Sequence, residues 1–264
     1  MSRASTHTPD HRGPEVVEEH RMPLLDHLRE LRIRLIASVR ALVVTTLASW
    51  FFADQIFGWL SAPMNDALHS TGTGSLAVTQ ATEGFMVQMK VAGLAGLMLA
   101  SPVIFWQVWK FVAPGLYDTE RRYVLPLVAA STCLFFGGGG FAYYGVFRVG
   151  FPLFLEMNGP DVTAVLSIDS YLTFATTLIV AFGLSFQLPV VVFFLARLGI
   201  LNHVDMIRGF RYGVVLIAVV AAVLTPPDVV SMSLMGVPLL ALYGLGIGVA
   251  RVFSTKPVAV VEAP

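Results

Sequence analysis

Two glutamates stand beside arginines at the margins of apolar runs, and they are the residues whose type and spacing best suit a chemical task. Glu30 lies in MPLLDHLRELRIRL, Met22–Leu35, and Glu120 in FVAPGLYDTERR, Phe111–Arg122. A carboxylate takes the planar guanidinium fork through two parallel charge-assisted hydrogen bonds. Two carboxylates on one face therefore make a receptor for a cationic, arginine-bearing ligand. A plainer reading fits the same spacing. Glu30 and Arg34 form an i,i+4 pair in the favourable order, worth a few tenths of a kcal/mol, while Asp118 and Glu120 offset Arg121 and Arg122 and favour a following helix N-terminus. Spacing alone leaves both readings open.

Other chemistry is sparse. Gln187, in SFQLP, is the notable polar group inside an apolar run; its amide either bonds a neighbouring helix or lines a polar cavity. Pro189 frees a backbone carbonyl close by. Four consecutive glycines, Gly137–Gly140, permit close helix approach or a bend. Arg40 lies one turn into an apolar run, from which it can snorkel back to headgroups. The six histidines fall outside the apolar runs without metal-ligand spacing, and the lone Cys133 excludes an internal disulfide and a CxxC pair. HExxH, P-loop and GxSxG motifs are lacking. The expectation is a protein that is not an enzyme and carries no cofactor or metal.

The elements that must position these residues are membrane helices. Of 264 residues 56% are hydrophobic and only 13% charged, against roughly 25% charged in an ordinary soluble domain. The net charge of zero gives no case for nucleic-acid binding. Residues 1–21 are polar, lack the apolar core of a signal peptide and read as a disordered tail. An amphipathic interfacial helix is expected over 22–34, since Leu24, Leu28, Leu31 and Leu35 form one stripe. Spans are expected at about 35–57, 90–109, 124–147, 171–196, 211–225 and 229–252, with 254–264 as a tail. The last two form a short hairpin across TPPD, Thr225–Asp228. Basic residues cluster before the first span, in the second and fourth loops and in the tail, and are rare in the others. By the positive-inside rule both termini and FVAPGLYDTERR are cytoplasmic. Asp169 is placed to cap the fourth span, and loops one and three read as external caps.

Several segments together resemble the TatC family, the multispanning receptor of the twin-arginine protein translocase. They are HLRELRIRL, SAPM, SPVIFWQVWKFVAPGLYDTERR, FGLSFQLPVVVFFL and LTPPDV, in order from His27 to Phe253. The resemblance implies an all-α polytopic protein of six transmembrane helices, packed as a concave bundle in the bacterial cytoplasmic membrane. It implies a receptor that binds twin-arginine signal peptides of folded cargo and exports that cargo with TatA- and TatB-like single-span partners, using the proton-motive force. Self-association is left open. The signal-peptide site carries over to Glu30, Phe111, Pro114, Leu116, Glu120, Arg121 and Arg122. Arg32, Leu35, Pro63 and Asp228 match further motif positions, and Gln187 a polar partner contact that is glutamate in several members. A proton-titrating role there is thereby lost. The alternative, a small secondary transporter or channel, would want midplane ion ligands or repeated broken helices, and Gln187 is the one such group.

Overall fold

The structure, a computed structural model, describes residues 24–71, 74–112, 124–157, 165–225 and 228–254. Most of them are helical, as a chain crossing a bilayer requires, because hydrocarbon offers no partner to a backbone N–H or C=O. Helix α1 (Leu24–Trp50) contains neither Gly nor Pro, so the amphipathic segment and the first span run on as a single helix. The chain then turns through 85° into α2 (Ala53–Thr71). The first span thus ends at Trp50, and residues 53–57, expected within it, open an external helix instead.

After the short strand β1 (Ser75–Ala77) comes α3 (Glu83–Val112), which starts two turns before the expected second span. The third span is longer than expected. Helix α4 (Val124–Phe141) passes through a π-helical turn (Ala142–Val146) into α5 (Phe147–Glu156), giving a 33-residue segment. Strand β2 (Val165–Ser167) precedes α6 (Ile168–Ser185), which is interrupted at Phe186–Gln187 before α7 (Leu188–Arg197). Pro189, at the start of α7, lacks the N–H that would bond the Ser185 carbonyl, which accounts for the break. Helices α8 (His203–Arg208), α9 (Phe210–Leu224) and α10 (Val229–Phe253) complete the fold. Among the described residues four segments are long and apolar enough to cross a bilayer; α1 with its bend into α2 makes a fifth, and the shorter apolar α9 a sixth. Shortness is confined to α9, whose 15 residues span ~22 Å; α10, with 25, is a full-length span.

Close helix contacts rest on individual glycines. A Cβ on Gly96 of α3 would lie 2.3 Å from Thr46 Oγ1 and 2.6 Å from Thr46 Cα of α1, and Thr45 Oγ1 donates to the Gly96 carbonyl at 2.8 Å. Of the four consecutive glycines, Gly138 meets the Phe182 carbonyl of α6, where a Cβ would sit at 2.5 Å, whereas Gly137 and Gly140 face open space. The main core, with Phe147, Phe182, Leu172, Leu60 and Met235 fully buried, joins α2, α5, α6 and α10. A smaller one gathers Trp109, Leu127, Val128 and Val190.

Candidate functional site

The external loops are knitted together by a two-stranded parallel sheet in which Ser75 is opposite Val165, Leu76 opposite Leu166 and Ala77 opposite Ser167. Beneath it lies Glu83, 4% exposed, which sequence reasoning did not single out. Its Oε1 accepts from Ser167 Oγ and from the Asp169 N–H, each at 2.7 Å. Its Oε2 accepts from the N–H and Oγ1 of Thr79 and from the Gln80 N–H. Glu83 precedes the apolar stretch of α3 by two turns. The Asp169 amide, then Ser167, hold its carboxyl down at about 2, because each donor stabilises the charged form. Asp169 does not cap α6: Ser167 does, accepting from the Ser170 N–H. The Asp169 carboxylate pairs with Lys90 Nζ at 2.6 Å, and Lys90 also donates to Thr173 Oγ1.

Two further expected positions belong to this external side. Pro63 lies inside α2 and cannot bond the Trp59 carbonyl one turn back; the hydroxyl of Tyr143 donates to that carbonyl at 2.6 Å, while Tyr171 does the same for Leu60. The proline thus exposes an acceptor that another span takes up. Asp228 caps α10, accepting from the N–H and Oγ of Ser231. Those two bonds, the hydroxyl first, lower its carboxyl below the usual range.

At the other end, the α1/α3 contact that Gly96 permits brings the turns around Glu30, at His27 and Arg34, onto Phe111 and Gln107. Arg34 reaches Glu30 Oε1 through Nη2 at 2.9 Å and Nε at 3.3 Å, the i,i+4 pair that the spacing offered. The same guanidinium turns Nη1 to Gln107 Oε1 of α3 at 3.3 Å. One turn before Glu30, His27 stacks on Phe111 with ring centroids 4.4 Å apart and planes 22° apart. Glu30 is one-fifth exposed, and among the described residues its Oε2 has no hydrogen-bond partner. A carboxylate held this way can take a guanidinium on its open oxygen, or exchange Arg34 for one. Gln107 and His27 were missed; the sequence signal was a polar residue one helical turn before Phe111 in an apolar span. Arg32 and Leu35 are exposed on a different side of α1 from Glu30. Pro114, Leu116, Glu120, Arg121 and Arg122 lie outside the described residues, as do the expected tail over 1–21 and all but Ser254 of the one over 254–264.

Gln187 sits at the break between α6 and α7, half-buried. Its Nε2 donates to the Ser131 carbonyl of α4 at 3.0 Å and to the Gly183 carbonyl at 3.4 Å. Ser131 Oγ in turn accepts from the indole N–H of Trp109 on α3 at 2.9 Å. The amide therefore ties three spans together, the first of the two roles that the sequence left open. Among the described residues no group of three His, Cys, Asp or Glu side chains converges as a metal site would require.

Comparison with known proteins bears on the whole arrangement. The sequence model of the family described as Sec-independent protein translocase protein (TatC) matches residues 26–238. The Sec-independent protein translocase protein TatC of Desulforapulum autotrophicum is 39% identical over 240 residues, covering 90% of this chain and 88% of that one. Its counterpart from Helicobacter pylori strain J99 is 39% identical over 238 residues, covering 89% and 91%. A crystal structure of the twin-arginine translocase receptor TatC superposes with a TM-score of 0.75 at 34% identity, over 86% of this chain and 99% of that one. A crystal structure of that receptor in DDM gives 0.78, again at 34% identity.

Proposed function

The chain belongs to the TatC family of Sec-independent protein translocase proteins, and from that premise we propose how its cytoplasmic end receives a cargo. As a family member it is a multi-pass protein of the bacterial cytoplasmic membrane and the receptor subunit of a protein translocase, not a catalyst. The proposal is that Glu30 and Glu120 accept the paired arginines of a signal peptide, with Phe111, Pro114, Leu116, Arg121 and Arg122 shaping and holding the loop around them. The observation that carries it is the half-used carboxylate of Glu30: Arg34 holds Oε1 while Oε2 has no partner among the described residues, and His27, one turn away, stacks on Phe111.

Arg34 then acts as an internal stand-in for the ligand. When the peptide's guanidinium arrives, Arg34 can swing fully onto Gln107, which it already touches, so the displaced guanidinium keeps a hydrogen-bond acceptor. Arg32 and Leu35, on the exposed side of α1, face lipid or a partner. TatA- and TatB-like single-span proteins dock near α9 and α10, and Gln187 offers a neutral acceptor, its Oε1, within the membrane at little desolvation cost. With these partners the protein exports folded cargo at the expense of the proton-motive force. Pro63 and Asp228 serve by shaping the external side, the one through α2 and the other through the α10 cap.

The test is binding of a twin-arginine peptide to the full chain in membranes. A charge-assisted hydrogen bond to a partly exposed group is worth about 1.5 kcal/mol, so Glu30→Gln weakens binding about tenfold, as does Glu120→Gln. Arg34→Gln leaves affinity equal or higher. Wild-type affinity in both glutamate variants, with folding intact, would sink the proposal.

A further inference from the structure

Two cavities follow one another along the seam where α2 packs against the third span. The inner one, about 560 Å³, is bounded by the elbow between α1 and α2, by α3 and by Gly139 and Gly140 of α4. Its walls are apolar but for Ser49, which is 3% exposed and whose Oγ has no hydrogen-bond partner among the described residues. The outer one, about 410 Å³, is reached further along both helices. Asp66 of α2 and Arg148 of α5 line it together with Tyr144. Both charged side chains are exposed, and among the described residues neither makes an ion pair. Between the cavities the rings of Trp59 and Tyr143 stack 3.9 Å apart.

The level in the membrane follows from the residues. Trp59 and Tyr144 are exposed, at 50% and 66%, and exposed Trp and Tyr mark the headgroup level. Arg148 lies just past the apolar part of the third span, on the external side. The π-helical turn directs Tyr143 inward onto Trp59 while Tyr144 faces out, and such turns recur at functional sites.

We propose that this seam holds one phospholipid of the external leaflet, an aminophospholipid, with an acyl chain in the inner cavity and its headgroup in the outer one. Arg148 takes the phosphate through its planar fork, and Asp66 takes the ammonium. A purely anionic ligand would leave Asp66 unmatched, and a purely cationic one would leave Arg148 unmatched; a zwitterion answers both. Ser49 supplies a hydroxyl donor of the kind that an ester carbonyl satisfies.

The experiment exposes the purified full-length chain to vesicles of equal parts phosphatidylethanolamine and phosphatidylglycerol. After re-extraction, the retained lipid is counted by native mass spectrometry. Wild type retains phosphatidylethanolamine in preference. Arg148→Gln lowers retention of both lipids about tenfold, the loss of one charge-assisted contact. Asp66→Asn keeps the lipid but loses the headgroup preference. Gly140→Leu fills the inner cavity and expels both lipids; its Cβ meets nothing within 4 Å, so folding is spared. Retention unchanged in Arg148→Gln and Gly140→Leu, or a preference that survives Asp66→Asn, overturns the proposal. So does a wild type that retains no lipid, which would leave the seam to a protein partner. Twin-arginine peptide binding by the same variants stays at the wild-type level, which keeps this test separate from that of the cytoplasmic site.

Discussion

Gly96→Ala tests the claim that the receptor end depends on how closely α1 and α3 approach. The added methyl would lie 2.3 Å from Thr46 Oγ1, 2.6 Å from Thr46 Cα and 2.7 Å from Thr46 N. The hydroxyl can rotate away; the backbone atoms cannot. Restoring ordinary contact to Thr46 Cα moves one helix by about 0.8 Å, which stretches the 2.8 Å bond from Thr45 Oγ1 to the Gly96 carbonyl past its useful range. Overpacking of this kind costs about 1–3 kcal/mol, and an interhelical hydrogen bond adds about 0.6 kcal/mol. The strain is carried along α3 to Phe111, fifteen residues or ~22 Å on, where it displaces the ring from its stack on His27 beside the receptor carboxylate. Thermal unfolding in lipid nanodiscs, with twin-arginine peptide titration in parallel, measures both effects. The control is Gly93→Ala, a position on the same helix with nothing within 4 Å of the new methyl; it is neutral, or gains up to about 1 kcal/mol from helix propensity. If the two variants unfold and bind alike, close approach at Gly96 does not set the receptor geometry.

Tyr143→Phe leaves the Trp59 carbonyl, already deprived by Pro63, without its donor; a loss of about 1–2 kcal/mol in unfolding free energy, with peptide affinity unchanged, is the expected result. Pro63→Ala in that background returns an N–H one turn away and recovers part of the loss. Glu83 gives a pH signature. Its carboxyl is lowered from an ordinary 4.5 to about 2 in the fold, so its contribution is complete above pH 4.5 and drains away as pH falls toward 2. Glu83→Gln is therefore less stable than wild type at neutral pH, and the gap narrows through that window; a gap independent of pH would count against the hydrogen-bonded carboxylate.

What the sequence could and could not disclose follows from the range of the interactions. Apolar runs fix spans because each is a local property, and Glu30–Arg34 was visible because both residues lie on one helix turn. The bend after Trp50 was hidden, since the helix α2 that it starts is held by hydroxyls from distant residues, Tyr143 on the Trp59 carbonyl that Pro63 leaves open and Tyr171 on the Leu60 carbonyl. Glu83 was hidden for the same reason: two of its donors come from residues 84 and 86 positions away. Nor could the three-residue strands be seen, too short to show an alternation of their own. The contact of Arg34 with Gln107 required knowing which spans touch, and that was written in one glycine rather than in any charge pattern.

The knot around Glu83 has a mechanical side. It pins α3 to the start of α6 at one end, with Lys90 and Asp169 as a second rivet about 10 Å further along α3. Two rods pinned at one end can only part like tongs. Helix α3 runs ~39 Å from Glu83 to Trp109, so a swing of about 5° that breaks none of these bonds opens the far tips by about 3 Å while the pinned end scarcely stirs. A gap made in this way is a wedge, widest where the cargo's leading peptide arrives and narrowest where leakage would be most damaging.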